Sequence, residues 1–329
     1  MEVFGIQSSL QLMNNMGRIL STIAIILSSL LYPLLICAQC CSAGNPVGGD
    51  GSQDALKRKH LRAFVSFRQS NSRDYFHQSY KISEQYINRS LYDFTSLSLS
   101  YGLTNDLTIH SELGYFSRKL QEVNLPGGIE FIESSGLGDL ALTLRYNILD
   151  RERFKSDRVM ISMGTRLPIG AFNETLDGIS IPISLQPSSG TSKINCSVFY
   201  AHKKPSSPFG WNVLSYNEWS NEINKDFLIY QYGMYSTLEL SSLYSRSSGF
   251  LAILSLKMEY RARDTREDDI SIESTGSKVA YIKPQVVFEL LPELNMISLV
   301  EIPIFKYVNG YQLTRLYAFQ IGIRKSFSI

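Results

Sequence analysis

From residue 60 to the end of the chain, apolar and polar residues alternate in runs of about ten, the length and period of a tilted membrane-crossing β-strand. Leu61, Ala63, Val65 and Phe67 alternate with Arg62, Phe64, Ser66 and Arg68. The period of two puts one apolar stripe outward and one basic stripe inward. Leu97, Leu99 and Tyr101 stand against Ser96, Ser98 and Ser100, then Leu107, Ile109, Leu113 and Tyr115 against Thr108, His110, Glu112 and Gly114. The short turn at Gly102–Asp106 joins these two strands as a hairpin. Leu140, Leu142, Leu144 and Tyr146 oppose Asp139, Thr143, Arg145 and Asn147, and Val159, Ile161 and Met163 oppose Ser162, Gly164 and Arg166. Weaker strands are predicted at Ser192–Tyr200, Gly210–Tyr216 and Leu228–Leu238. Clearer ones fall at Phe250–Tyr260, Lys278–Leu290, Asn295–Ile304 and Leu316–Ser328.

About twelve strands result, an even number that leaves both barrel termini on one side of a membrane. Predicted connections after odd strands are long (Gln69–Ser90, Lys119–Gly136, Pro168–Gly190, Asn217–Asp226, Ala262–Thr275, Lys306–Thr314), while most after even strands are compact. That parity predicts an all-β fold: a transmembrane antiparallel β-barrel with its long loops outside the cell and both termini in the periplasm. Pro284 lies inside a predicted strand and lacks a donor, so that strand should begin later or carry a bulge. Tyr317, Phe319, Ile321, Ile323, Phe327 and Ile329 share one face, as a C-terminal insertion strand read by barrel-assembly machinery requires. Lys325 interrupts that face, where it can snorkel at the periplasmic rim.

Ahead of the barrel, Arg18 precedes an apolar run from Ile19 to Cys37, and no further charge occurs before Asp50. This reads as an export signal, initiated at Met13 or Met16, since residues 1–17 resemble no ordinary n-region, and cleaved after Ala38 or Ala43; an uncleaved membrane helix is the competing reading. The domain plan is 1–38 signal peptide, 39–59 flexible periplasmic segment and 60–329 barrel. Overall hydrophobic content is 44% and net charge +2, values compatible with a barrel that shows lipid only half its side chains. Nothing there points to nucleic acid. Cys37, Cys40, Cys41 and Cys196 form no disulfide framework. Cys40 and Cys41, two thiols with no nearby histidine, are half a metal site at best, so neither metal nor cofactor is expected.

Several blocks in the expected order resemble a family of phenol-degradation-pathway-type outer-membrane transporters, with the leader exit Gln39–Gly44 similar to a Bacteroidetes subgroup. They are Tyr101-Gly102-Leu103-Thr104, Gly136-Leu137-Gly138-Asp139-Leu140, Arg166-Leu167-Pro168-Ile169-Gly170, Leu185-Gln186-Pro187-Ser188-Ser189-Gly190 and Asn309-Gly310-Tyr311-Gln312-Leu313. The resemblance implies an outer-membrane barrel with a transport role and an unspecified solute.

The chemistry lies in the inward stripes. Arg62, His110, Glu112, Arg145, Arg166, Lys257, Glu259 and Arg261 are the candidate pore-lining residues. The same phase places Arg68, Arg158, Lys193, Lys283, Arg324, Asp139, Glu289 and Glu301 inside. Positive charge exceeds negative, which gives either an anion-favouring pore or a ladder of paired charges filling the barrel. The loop with Pro168, Gly170 and Gly190 is the candidate constriction. Asp264, Glu267, Asp268, Asp269 and Glu273 crowd one external loop, as a cation site or as solvated charge. Enzymatic lipid hydrolysis is disfavoured, because His110 points inward while Ser111 faces the other way and no nucleophile-elbow sequence occurs. The remaining alternative is a barrel that only anchors loops, such as the Tyr- and Ser-rich segment Gln69–Ser90, for adhesion. The expected partners are outer-membrane lipid, a small solute and, during insertion, the assembly machinery.

Overall fold

The computed structural model describes residues 55–329 except 84–86, 126, 150–155, 177, 226–227, 248 and 268. The expected leader, its cleavage sites, Cys37, Cys40, Cys41 and Asp268 therefore lie outside the described residues. Eleven strands form the wall: β1 His60–Gln78, β2 Ile87–Gly102, β3 Leu107–Leu125, β4 Leu140–Asn147, β5 Asp157–Leu167, β6 Lys193–His202, β7 Phe209–Ser220, β8 Tyr235–Ser247, β9 Phe250–Arg261, β10 Ser277–Leu291 and β11 Leu294–Ser328. Each pairs antiparallel with the next. The first arm of β11, 294–308, lies on β10 and the second, 311–328, lies on β1, with His60 opposite Ser328. The two arms are brought back together where the Ser326 N–H donates to the Glu293 carbonyl at 3.1 Å. The wall is therefore closed and crossed twelve times. Among the described residues no helix is long and apolar enough to cross a membrane.

Closure gives every strand two partners, so no backbone edge meets lipid. The surface is inverted relative to a water-soluble protein. Met163, Leu254 and Ile323 are 67%, 52% and 51% exposed, whereas Ser66 and Ser255 on the opposite phase are 5% and 1% exposed. Serine pairs bridge neighbouring strands inside, as between Ser66 and Ser96 Oγ at 3.1 Å and Ser241 and Ser255 Oγ at 2.8 Å. Outside, near the end where β1 starts and β11 finishes, Tyr200 with Trp211, Phe209 with Tyr244 and Phe250 with Phe288 form an aromatic belt with ring centroids 5.0–5.2 Å apart. Lys325 is partly exposed on the outer stripe and donates to the Pro292 carbonyl at 3.0 Å.

Several expectations need correction. The residues Leu228–Leu238 are not one strand. Leu228–Gln231 joins a small sheet with Ile223–Lys225, Thr265–Arg266 and Ile270–Ser271, and the wall resumes only at Tyr235. Alternation misled there because Ile223, Tyr230 and Tyr232 pack into a local core with Phe172, Ile183 and Ile272 beyond the wall. The long connections Gln69–Ser90 and Lys119–Gly136 are largely strand. β1 and β3 each run 19 residues, and Gly128–Leu137 pairs back on β3, so polar residues there mark strands that project past the membrane. Lys306–Thr314 is no loop either. Asn309-Gly310 turns the chain, with Gly310 at φ +49° and a would-be Cβ 3.0 Å from Ser274 Cα.

The strand with Pro284 does not begin later. Pro284 stays opposite Leu254 on β9, and pairing with β11 lapses over Lys283 and Pro284. A one-residue bulge lies close by, between the pairs Ala280–Phe305 and Tyr281–Pro303.

Candidate functional site

The wall encloses a cavity of about 150 Å³ lined by strands β3 to β11. His110, Glu112, Arg145, Arg166 and Lys257 of the sequence-derived candidates line it, together with Glu239, Lys283 and Glu301. Strand register explains the convergence. Arg62, Ser100, His110, Thr143, Gly164 and Asn195 follow one another across β1 to β6 as one interior row, with Arg145 one row nearer the termini and Arg166 one row farther away. His110 Nδ1 lies 2.8 Å from Ser100 Oγ. Gly164 is required in this row: a Cβ there would lie 2.6 Å from Thr143 Oγ1 and 3.0 Å from Asn195 Oδ1.

On one side of the lumen Glu301 accepts from Arg68 at 2.6 Å and Arg315 at 3.2 Å and lies 3.6 Å from Lys257, whose ammonium is also 3.4 Å from Glu259. Glu259 in turn meets Arg261 at 3.2 Å. Tyr281, fully buried, presents its ring to Lys257 and Arg315, and Tyr235 presents its ring to Arg261. Farther round the wall Glu218 joins Arg166 at 2.9 Å and Lys193 at 3.6 Å, while Glu239, opposite Lys257 on the neighbouring strand, holds Lys283 at 2.6 Å. These buried charges are thus paired, as desolvation demands.

Two expected interior residues lie elsewhere. Glu289 is exposed at the turn end, where its carboxylate accepts from the Glu293 N–H at 3.3 Å, and Arg158 is exposed near the same rim, because the stripe there has left the enclosed part of the barrel. Glu218, Glu239 and Arg315 escaped sequence reasoning. Glu218 fell in a predicted loop, and Glu239 and Arg315 fell one residue outside predicted strand ends. Extending each alternation by two residues would have found them.

Both mouths are covered. At the end away from the termini, the connection 168–192 packs inward, and residues 185–191 are buried. Asp139, 1% exposed, receives Ser188 Oγ at 2.7 Å and the Ser189 N–H at 3.0 Å. Lys119 Nζ donates to the Gln186 carbonyl at 2.6 Å, Ser134 Oγ to the Leu185 carbonyl, and Tyr232 OH to the Ser189 carbonyl at 3.1 Å. Gly170 and Gly190 permit this seating. A Cβ on Gly170 would lie 1.8 Å from the Leu137 carbonyl oxygen, and one on Gly190, at φ +72°, 2.6 Å from the Phe172 ring. Pro168 starts the connection immediately after β5. At the opposite mouth, residues ahead of β1 cross the opening. The Leu56 N–H donates to Thr108 Oγ1 on β3 at 2.8 Å, and Ala55 packs on Met160 and Phe199, with Ala201 and Leu214 alongside.

The acidic external loop is no simple solvated cluster. Asp264 is buried, accepts from Tyr230 OH and, at 2.7 Å, from the Gly233 N–H, and so ties the small sheet to the wall. Among the described residues no group of three or more His, Cys, Asp or Glu is placed to hold a metal.

A closed antiparallel barrel with a lipophilic exterior, an aromatic belt and a charged interior is a transmembrane β-barrel of the outer-membrane kind. No family model matches the chain, and no curated protein matches it in sequence. Its fold is similar to that of an outer membrane channel from Pseudomonas putida F1, at a TM-score of 0.68 and 13% identity over 85% of this chain and 100% of that one. The transport unit of the autotransporter AIDA-I from Escherichia coli matches at a TM-score of 0.50 and 10% identity, over 87% of this chain and 95% of that one.

Proposed function

We propose that the protein is a channel for passive passage of small solutes across the outer membrane, with its termini in the periplasm, a preference for anions, and the 168–192 connection as its constriction. The observation that carries this reading is the axial cavity, in which basic side chains outnumber carboxylates. Arg145, Arg166, Lys257 and Lys283 line it with Glu112, Glu239 and Glu301, and Arg62, Arg68, Lys193, Arg261 and Arg315 stand beside it with Glu218 and Glu259. A barrel of this circumference lies between small barrels filled by side chains and open porins, so passage needs the covering segments to move. Excess fixed positive charge in a low-dielectric passage concentrates counter-anions and repels cations. The similarity to the Pseudomonas putida channel supports the fold on which this rests.

The test is single-channel recording of the refolded barrel in a planar bilayer under a potassium chloride gradient. Discrete steps are expected, with a reversal potential on the chloride side that moves toward potassium in Arg166→Glu. Silence in both the native protein and an Asp139→Ala variant with a loosened constriction would overturn the channel and favour a barrel that anchors its external loops.

A further inference from the structure

The cavity is chemically graded along the barrel axis. Toward the barrel termini, Met160 on β5 faces Phe199 on β6 and Phe199 faces Leu214 on β7, an apolar patch of which Phe199 and Leu214 line the cavity and which is bounded by Asn147, Asn212 and Glu239. One row farther in, about 7 Å along two residues of strand, Arg145, Ser162, Ser197 and Tyr216 follow across β4 to β7. Thr143 and Asn195 come next, then Arg166. An apolar floor therefore lies directly beneath a wall of cationic and neutral donors. Arg62, Arg145 and Arg166 all stand within electrostatic range of His110, and the carboxylates near them are Glu112, Glu218, which is shared between Arg166 and Lys193, and Glu239, which lies opposite Leu214 and is held by Lys283. The floor is already in use, since the side chain of Ala55 is buried on it.

We infer that this cavity is a binding site for a small organic anion with an apolar body. Its carboxylate sits at the level of Arg145 and Arg166, and its hydrocarbon sits on Phe199 and Leu214 and extends toward Met160 into the place that Ala55 occupies. The segment Ala55-Leu56 is thus a built-in competitor: it fills the apolar half of the site and crosses the periplasmic mouth. A solute with both features displaces it, whereas a bare inorganic anion gains nothing on the floor. The volume of about 150 Å³ restricts the ligand to a few carbon atoms. This assignment rests on the channel reading only for how the ligand arrives.

The experiment is titration calorimetry of the refolded full-length barrel in detergent with pentanoate, acetate and pentanamide. Pentanoate should bind at least about tenfold more tightly than acetate, from the added methylene groups buried on the floor, and pentanamide should fail to bind. Arg145→Gln should remove most of the pentanoate affinity while the barrel remains heat-modifiable on gels. Leu56→Gly, which loosens the competing segment, should raise that affinity several-fold, because a site open only part of the time loses apparent affinity in proportion. Equal binding of acetate and pentanoate, or of pentanamide and pentanoate, overturns the site. Unchanged affinity in Leu56→Gly overturns the competition. A barrel that binds pentanoate but never conducts refutes the channel and keeps the site; one that conducts without binding does the reverse.

Discussion

Replacing Glu301 by Gln removes one negative charge from the most crowded point of the lumen while keeping shape and one acceptor. In the native barrel that carboxylate, 3% exposed, meets Arg68 at 2.6 Å, Arg315 at 3.2 Å and Lys257 at 3.6 Å. After the change, Lys257 keeps Glu259 at 3.4 Å, whereas Arg68 and Arg315 lose the carboxylate they are paired with. Deleting one partner of a buried ion pair costs about 3–5 kcal/mol, because the surviving charge stays desolvated. With two cations stranded at once, the upper part of that range is expected, less whatever water enters the adjacent cavity. Unfolding in guanidinium from lipid vesicles measures it directly. The reporters are favourable: the chain has two tryptophans, Trp211 and Trp219, both outward on β7 and far from the substitution in sequence. Adding Lys257→Met to Glu301→Gln lowers the excess positive charge and leaves Glu259 to the neighbouring cations, and the pair should recover about 1–2 kcal/mol relative to the sum of the single changes. A loss under about 1 kcal/mol in Glu301→Gln, with additive behaviour in the double variant, would falsify the view that this network is desolvated and coupled.

Other consequences are open to direct measurement. Leu254→Arg places a charge on the lipid face and should destabilise the barrel by about 2–4 kcal/mol in vesicle unfolding if that position lies near the midplane, whereas Ser242→Ala, on the same outer face, should stay within about 0.5 kcal/mol of native. Asp139→Ala removes the acceptor of Ser188 and the Ser189 N–H; chymotrypsin should then cut after Phe172 faster, and single-channel steps should grow or lengthen. Gly310→Val must adopt φ near +49° against Ser274, and should cost about 1–2 kcal/mol or more in the same unfolding assay. Native-like stability of Gly310→Val would mean that the turn between the arms of β11 is built differently.

Most of the wall was legible from alternation alone, because lipid outside and charge inside impose opposite chemistry on successive residues of every strand. Val65 against Ser66, or Leu256 against Lys257, announces its side without any knowledge of the neighbours. That rule ends where lipid ends. Above the membrane, β1 and β3 carry polar residues on both faces, so their continuation as paired strands left no periodic trace. Leu228, Tyr230 and Tyr232 alternate for another reason, the small core over the mouth. Asn309-Gly310 was visible as a hairpin dipeptide, and its turn could have been read from that pair. The candidate site was half legible. Which residues face inward follows from phase, but that Glu301 gathers Arg68, Lys257 and Arg315 depends on the register of β1, β9 and the two arms of β11. The seating of Ser188 and Ser189 on Asp139, and of Ala55 on Phe199, leaves no local signal at all.

The pairing of β11 with β1 also fixes when the barrel can become a barrel. Ser328 and His60 are 268 residues apart yet share a contact at 3.3 Å, so the last arm must be available before the first strand has its second neighbour. Joining ends that distant costs about 5 kcal/mol of chain entropy on the logarithmic scaling of loop closure, and no internal ladder lowers that cost until the intervening strands have already lined up. Long-range pairing of this kind is slow. Folding should therefore proceed as an open, curling sheet with two unsatisfied edges, held at the bilayer surface until the second arm of β11 zips onto β1. A defect in that arm then acts as a block on ring closure, not as the local loss of one strand.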